Sequence, residues 1–351
     1  MRSLTGRTAP AVAGSHRDEG RGPAVNHDMS QRALLEAAAE GLRRLAGDAR
    51  CRTAFAAPSS VLRDMLSPAA WRYVLAPDRA GFFEQAVRLR SRGYRVSAEF
   101  AGPDEGTTDA VRVEHVVEEY LRLLDQEPAP DRIVLDLSLV GLAHSAKAAL
   151  RNAGRLAAAA ALRGSEVVLL VEGSGDIDTV LGVHDALVTR HDNLGITLQA
   201  HLHRTGDDAR AVAGPGRTVR LVMGSSAEPV GTALSRGPAL DDRYLDLAEL
   251  LVDRGVELSL ATQDAEVLAG AQERGLLDHV QDIEMLYGVR PELLRRHRVA
   301  GRPCRIHATY GVNWWLPLLR RLADNPPMVI NALADIGRDR EPAETAAHQA
   351  Y

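Results

Sequence analysis

The run RIVLDLSL at residues 132–139, followed by EVVLLVE at 166–172, predicts two short β-strands separated by a helical segment. Six further runs have the same character: RVSAEF at 95–100, GITLQAHL at 195–202, TVRLVMG at 218–224, VELSLATQ at 256–263, DIEMLYG at 282–288 and CRIHATYG at 304–311. Amphipathic helical patterns lie between most of them, which is typical of parallel βα units. Eight such units favour an α/β chain folded as a closed, TIM-like (β/α)8 barrel, although one miscounted strand would reopen the choice of a doubly wound sheet.

The barrel is predicted to span residues 71–335, with additional segments at both ends. Helical spacing at 33–45, and again around 59–66, predicts an N-terminal helical arm over residues 32–70. Residues 1–31 are rich in Arg, Gly, Pro and Ser and are expected to be a disordered tail, and residues 336–351 are expected to fray. The segment WWLPLLRRLADN at 314–325 predicts a helix after the last strand.

Composition limits the classes of partner. The 351 residues are 45% hydrophobic and 25% charged, which is typical of a globular chain. A net charge of -5 without long basic runs argues against nucleic acid as the partner. No apolar run reaches the roughly 20 residues of a membrane helix, so no integral membrane segment is expected. Cys51 and Cys304 are far apart and form no CxxC pair, which favours a reducing, cytoplasmic location.

Polar residues follow one parity along the predicted strands, at the strand ends where barrel active sites form. They are Asp136, Ser138, Glu172, Gln199, His201, Arg220, Gln263, His307 and Thr309. Any one of them is more often a satisfied structural residue than a catalytic one. Because isolated buried charges are costly, Asp136, Glu172 and Arg220 together imply an ion-pair network or a bound polar ligand.

A metal site is a weaker interpretation of the same residues. His201 and His203 lie on one side of a strand, and Asp136, Glu172 and His307 could add ligands for a metal-dependent barrel hydrolase or lyase. Their spacing matches no defined metal signature, so no residue is assigned as a metal ligand.

Four segments, in order, resemble the motifs of the proline dehydrogenase family. GITLQAHLHRT at 195–205 resembles the family's LQAYLRR strand, and RLVMGSS at 220–226 resembles RLVKGAY. EMLYGVRPEL at 284–293 resembles MLYGIR, and RIHATYGVNWWLPLLRRLADNP at 305–326 resembles RVYVPYG followed by tryptophan and paired arginines. The resemblance extends from about residue 72 to residue 327, and its specific motifs all lie after Gly195.

The resemblance implies a (β/α)8 barrel that binds FAD. Gln199 and Arg220 match positions that hydrogen-bond the flavin ring, and Val222 and Gly224 match backbone positions beside it. Thr262 matches a residue near the dinucleotide part, and Gln263 stands where the family has a histidine. These residues are the expected cofactor contacts.

The resemblance also implies that Arg320 and Arg321 hold a substrate carboxylate by bidentate hydrogen bonds. The alternative for two adjacent arginines is a solvated helix face. Asp136, Glu172 and His307 complete the expected catalytic set.

Several family positions are changed, however. Asp136 replaces a lysine that contacts the substrate carboxylate, and His307 replaces an active-site tyrosine. The family aspartate of the third strand corresponds to Leu170 or, with a register shift, to Glu172. Met223 replaces the lysine of RLVKGAY and Ser226 its final tyrosine.

These departures predict a divergent member that binds free proline poorly. The exchange of lysine for Asp136 alters the local charge by two units, which favours a substrate with an extra cationic group or a masked acid. The expected function is an FAD-dependent dehydrogenase or oxidase of an amine or imino acid, with an unknown electron acceptor. In it His307 orients the substrate or accepts a proton. The alternatives are the metal-dependent enzyme and a catalytically inactive flavin-binding relative.

Overall fold

The structure, a computed structural model, describes residues 31–57, 59–102, 109–171, 174–224, 228–325, 328–336 and 350–351. The predicted disordered tail therefore lies outside the described residues, apart from the first residue of helix α1. None of the described helices combines the length and the apolar composition that a membrane span requires.

The eight predicted strands all form, and they close into a parallel barrel. A short additional strand, which the sequence analysis did not predict, precedes them. The bounds are β1 Val74–Ala76, β2 Arg95–Phe100, β3 Arg132–Asp136, β4 Glu166–Leu170, β5 Leu194–Gln199, β6 Thr218–Val222, β7 Glu257–Ala261, β8 Asp282–Leu286 and β9 Cys304–Tyr310. Strand β9 pairs with both β8 and β2, which closes the ring, and β1 pairs with the last residues of β9. The prediction of a (β/α)8 barrel is confirmed.

Helices surround the barrel and cover the end at which the carboxyl ends of the strands lie. Their bounds are α1 Gln31–Gly47, α2 Ala49–Ala56, α3 Val61–Ala70, α4 Arg79–Ser91, α5 Ala110–Leu124, α6 Ala146–Ala161, α7 Ile177–Val188, α8 Thr205–Val212, α9 Pro238–Asp253, α10 Ala265–Glu273, α11 Pro291–Val299, α12 Trp315–Asp324 and α13 Met328–Asp335. The first three occupy the predicted N-terminal arm. Short helical turns also form at Ser138–Leu142, Ser174–Asp176 and Leu276–Asp278.

Several strands end earlier than predicted, and β3 shows the cause. The Asp136 carboxylate accepts hydrogen bonds from the backbone N–H of Ser138 at 2.7 Å and from the Ser138 hydroxyl at 2.8 Å. An aspartate that bonds two residues ahead turns the chain locally. The strand therefore ends at Asp136, and the predicted strand residues 137–139 lie in the turn that follows.

Two apolar clusters hold these layers together. The larger one packs the outer faces of the barrel strands against the surrounding helices. The smaller one joins the N-terminal arm to α12, with the ring of Phe55 lying 4.7 Å from that of Trp314. Burying large aromatic rings contributes much of the stability of such contacts. The arm is thereby fixed above the carboxyl ends of the strands.

Tyr351, the last residue of the segment that was expected to fray, is packed, whereas residues 337–349 lie outside the described residues. Tyr351 is 6% exposed, and its ring stacks on that of Tyr287 at 5.7 Å. Its hydroxyl accepts a hydrogen bond of 2.9 Å from the backbone N–H of Gly288. Aromatic burial and a backbone partner are sufficient to hold a terminal residue against the barrel.

Candidate active site

One cavity of about 700 Å³ opens at the carboxyl ends of the strands, where the sequence analysis placed the active site. Its lining includes ten of the eleven predicted site residues, namely Asp136, Gln199, Arg220, Val222, Gly224, Thr262, Gln263, His307, Arg320 and Arg321. The eleventh, Glu172, lies outside the described residues. Strands β3, β5, β6 and β9, the β7–α10 loop and helix α12 thus contribute to a single site.

The wall formed by β5 and β6 holds its residues in fixed positions. Gln199 donates from Nε2 to the carbonyl of Val171 at 2.8 Å, which fixes its amide group beside the cavity. Gly224 has a φ of +106°, and an added Cβ would stand 1.9 Å from Nδ1 of His201. Only glycine is compatible with both the backbone conformation and this neighbour. His201 is buried behind Gly224 and is absent from the cavity lining, contrary to its predicted place in the polar ring.

Arg220 is paired with a carboxylate that the sequence analysis did not identify. Its Nε donates a short hydrogen bond to Glu284 of β8, a residue outside the set of Asp136, Glu172 and Arg220 for which an ion-pair network or a bound polar ligand was expected. Glu284 also accepts from Nη1 of Arg132 at 3.0 Å. Because β3 and β8 are not neighbouring strands, this bond crosses the barrel interior. Glu284 therefore connects Arg132, at the amino-terminal end of β3, with Arg220, which lines the cavity.

The buried position of Glu284 is balanced by positive charge. Burial alone raises the pKa of this carboxyl, but Arg220, the imidazole of His307, whose Nδ1 lies 3.6 Å from Oε1 of Glu284, and Arg132 together hold the pKa well below its usual range. Glu284 is therefore ionised in the folded protein.

A second carboxylate, Glu99 of β2, lies on the opposite side of His307. Its Oε2 lies 2.7 Å from Nε2 of His307, accepts from the hydroxyl of Thr309 at 3.0 Å and lies 3.5 Å from Nη2 of Arg321. Burial raises the pKa of Glu99, but His307, Arg321 and Thr309 outweigh it and lower the pKa to about 2. Glu99 and Glu284 could have been found from the sequence, because each is an acidic residue at an inward-facing position of a predicted strand.

Because the pKa of Glu99 is lower in the folded chain, its carboxylate should stabilise the fold above pH 4.5 and lose that effect as the pH falls toward 2. We expect the free energy of unfolding of wild type to fall more steeply across this window than that of Glu99→Gln. Urea unfolding at a series of pH values measures both slopes. Equal slopes would show that Glu99 has no depressed pKa.

Asp136 also lies in this acidic region. Tyr120, which lines the cavity, donates its hydroxyl to the carbonyl of Val134 at 2.9 Å. The pKa of Tyr120 is raised, first by burial and further by the negative charges of Glu99 and Asp136. Both carboxylates thus act on one tyrosine of the cavity wall.

Helix α12 places both arginines at the cavity, so the alternative of a solvated helix face is wrong. Arg321 is 7% exposed, donates from Nη1 to the carbonyl of Tyr73 at 2.5 Å and donates from Nη2 to the hydroxyl of Thr309. Arg320 lines the cavity nearby. Arg52 and Phe55 of the N-terminal arm also line it, a contribution that the sequence analysis missed.

The described residues offer no metal centre. Within those ranges, no group of three or more His, Cys, Asp or Glu side chains is arranged to hold a metal ion. His203 is exposed, and His201 is buried behind Gly224. The metal-dependent alternative therefore gains no support from the part of the chain described here.

Comparison with known proteins yields one consistent group of relatives. No family model matches the chain. Proline dehydrogenase 1 of Bacillus subtilis is 22% identical over 262 residues, which cover 73% of this chain and 87% of that protein. Proline dehydrogenase of Deinococcus radiodurans is 26% identical over 183 residues, which cover 50% of this chain and 59% of that protein.

Solved structures of proline utilization A share the fold. The protein from Bdellovibrio bacteriovorus superposes with a TM-score of 0.64 and 16% identity, over 80% of this chain and 35% of the other. The Bradyrhizobium japonicum protein gives a TM-score of 0.55 and 18% identity, over 90% of this chain and 42% of that protein. This chain thus spans well under half the length of those two proteins. The chain is thus similar in sequence to proline dehydrogenases and shares its barrel fold with proline utilization A.

Proposed function

We propose that this chain is an FAD-dependent oxidoreductase that oxidises a C–N bond of an amine, an imino acid or a derivative other than free proline. The observation that carries the proposal is that Gln199, Arg220 and Arg321, from two strands and a helix, line one cavity. Its volume of about 700 Å³ is within the range of small-molecule and cofactor sites. The proline dehydrogenases among its relatives support an oxidoreductase of this type.

The β5–β6 wall fits a planar ring. Gly224 lines the cavity without a side chain, and the Gln199 amide and the Arg220 guanidinium provide polar groups beside it. Val222, Thr262 and Gln263 complete the proposed cofactor contacts. When bound, FAD would take up the two electrons of the oxidation as a hydride. Arg220 would favour negative charge on the reduced ring, since its cation lies at the edge of the cavity.

The opposite wall supports a substrate other than proline. An anion that already lies beside an arginine weakens the binding of a second carboxylate there, because the two negative charges repel each other. Here Glu99 lies 3.5 Å from Arg321, and Asp136 stands where the family resemblance places a lysine. An incoming carboxylate would meet two negative charges, and such interactions are strong in a site with little water. His307 and Arg320 would orient the substrate, and Glu172 remains a proposed member of the site.

The flavin spectrum tests this function. We expect protein reconstituted with FAD to be yellow, and its absorption to be bleached anaerobically at least tenfold faster by L-prolinamide or 3-aminopyrrolidine than by L-proline. Stopped-flow absorbance measures these rates. Colourless protein that takes up no FAD would contradict the cofactor, and fast bleaching by L-proline would contradict the substrate class. Bound flavin that no amine of a broad panel reduces would favour the catalytically inactive alternative.

A further inference from the structure

We propose that Glu99 is a specificity-determining residue, whose Oε1 accepts a hydrogen bond from an ammonium group of the substrate other than the nitrogen that is oxidised. The inference rests on the proposed function, because it names the substrate class of that cavity as an amine with a second cationic group. It concerns binding only and requires no proton transfer to Glu99.

The two oxygens of Glu99 have different surroundings. The contacts with His307, Thr309 and Arg321 all converge on Oε2. Oε1 has no hydrogen-bond partner among the described residues, yet the side chain is 22% exposed and lines the cavity. A carboxylate accepts hydrogen bonds through both oxygens. The protein thus fixes Glu99, a residue of the cavity lining, through one oxygen and leaves the other available to a ligand.

The charges around Glu99 favour a cation at Oε1. The neighbouring cation, Arg321, is already engaged by the carbonyl of Tyr73 and the hydroxyl of Thr309 in addition to Glu99. Arg220 is matched by Glu284. Asp136 adds a further carboxylate to the same wall, since both it and Glu99 act electrostatically on Tyr120. A ligand ammonium at Oε1 would therefore meet the carboxylates of Glu99 and Asp136, while the guanidinium of Arg321 is already engaged by protein acceptors.

Glu99 remains an acceptor at neutral pH. Its depressed pKa keeps the carboxyl ionised, so it neither donates a proton nor serves as a strong base. A charge-assisted hydrogen bond from an ammonium to a fixed carboxylate is about twice as strong as a neutral one. Loss of that bond should reduce affinity by about tenfold or more.

The test compares three ligands that differ in charge: 3-aminopyrrolidine, which carries the second amine, pyrrolidine, which lacks it, and L-proline, which carries a carboxylate. Isothermal titration calorimetry at pH 7 measures their binding to the FAD-loaded protein. We expect wild type to bind 3-aminopyrrolidine at least tenfold more tightly than either of the others. In Glu99→Gln that preference should fall to less than threefold, and Glu99→Asp should keep most of it.

Glu84→Gln is the matched control, because it removes the same charge from an exposed side chain of α4. It should leave all three affinities unchanged. If Glu99 only positioned His307 and Arg321, Glu99→Gln would weaken the three ligands by the same factor, and that result would overturn the proposal. Absence of a wild-type preference for 3-aminopyrrolidine would also overturn it, even if Glu99→Gln failed to fold.

The calorimetric preference is independent of flavin reduction. FAD-loaded protein that binds 3-aminopyrrolidine through Glu99, but whose flavin no amine reduces, would contradict the proposed function and leave the binding role of Glu99 standing. If amines reduce the flavin equally well in wild type and in Glu99→Gln, and bind both proteins with equal affinity, the proposed function stands and this inference is contradicted.

Discussion

Replacement of Glu284 by glutamine should lower the free energy of unfolding by about 3–5 kcal/mol, the largest stability effect expected for a single conservative change in this barrel. Glu284 is fully buried and pairs with Arg132 and Arg220, whose side chains are 0% and 8% exposed. Glutamine keeps the shape but removes the charge, which leaves two buried guanidinium groups with one fewer anion. Urea unfolding of wild type and variant measures the difference.

Glu166→Gln is the control, because Glu166 also pairs with Arg132 but is 22% exposed. Water can compensate partly for the lost charge there, so the destabilisation should be clearly smaller. The double variant Arg220→Met with Glu284→Gln should lose less stability than the sum of the two single changes, because the two groups interact directly. Equal losses in Glu284→Gln and Glu166→Gln would show that burial of Glu284 does not govern its contribution.

Replacement of Arg220 by methionine should weaken FAD binding by about tenfold to a hundredfold, the cost of losing a hydrogen bond from a charged group. Arg220 lines the cavity at the proposed flavin wall, and its Nε contact with Glu284 fixes the guanidinium in place. Methionine has a comparable length and no charge. Titration of the apoprotein with FAD, followed by flavin fluorescence, measures the affinity.

Arg217→Met provides the comparison for Arg220→Met, since Arg217 precedes the same strand at the opposite end of the barrel and donates to the carbonyl of Val188 at 2.8 Å. It should bind FAD as wild type does. Arg220→Lys should be intermediate, because lysine keeps the charge but lacks the planar donor fork. Unchanged FAD affinity in Arg220→Met would remove Arg220 from the proposed cofactor site.

Much of the site was predictable because parallel strands place their carboxyl ends together. Once the eight runs were recognised, Asp136, Gln199, Arg220 and His307 were expected at one end of the barrel. Helix α2 and strand β1 were missed, because short elements carry little periodic signal. Such elements are stabilised mainly by contacts with distant parts of the chain.

The pairing of charges is what the sequence could not supply. For Arg220, Asp136 and Glu172 the sequence predicted an ion-pair network or a bound polar ligand, but Arg220 pairs with Glu284, 64 positions later along the chain. Glu99 and His307 are 208 positions apart and meet across the β2–β9 junction that closes the barrel. Hydrogen-bond partners at such separations depend on strand order and register, which no local pattern specifies.

By itself, the sequence determined the barrel, the end at which its polar residues collect and the resemblance to proline dehydrogenases, because periodicity and motif order are properties of the linear chain. Only the tertiary structure decided which oxygen of Glu99 is occupied, which carboxylate neutralises Arg220 and that Arg321 is buried beside an anion. These facts depend on three-dimensional distances of a few ångströms, over which charges in a site with little water interact strongly.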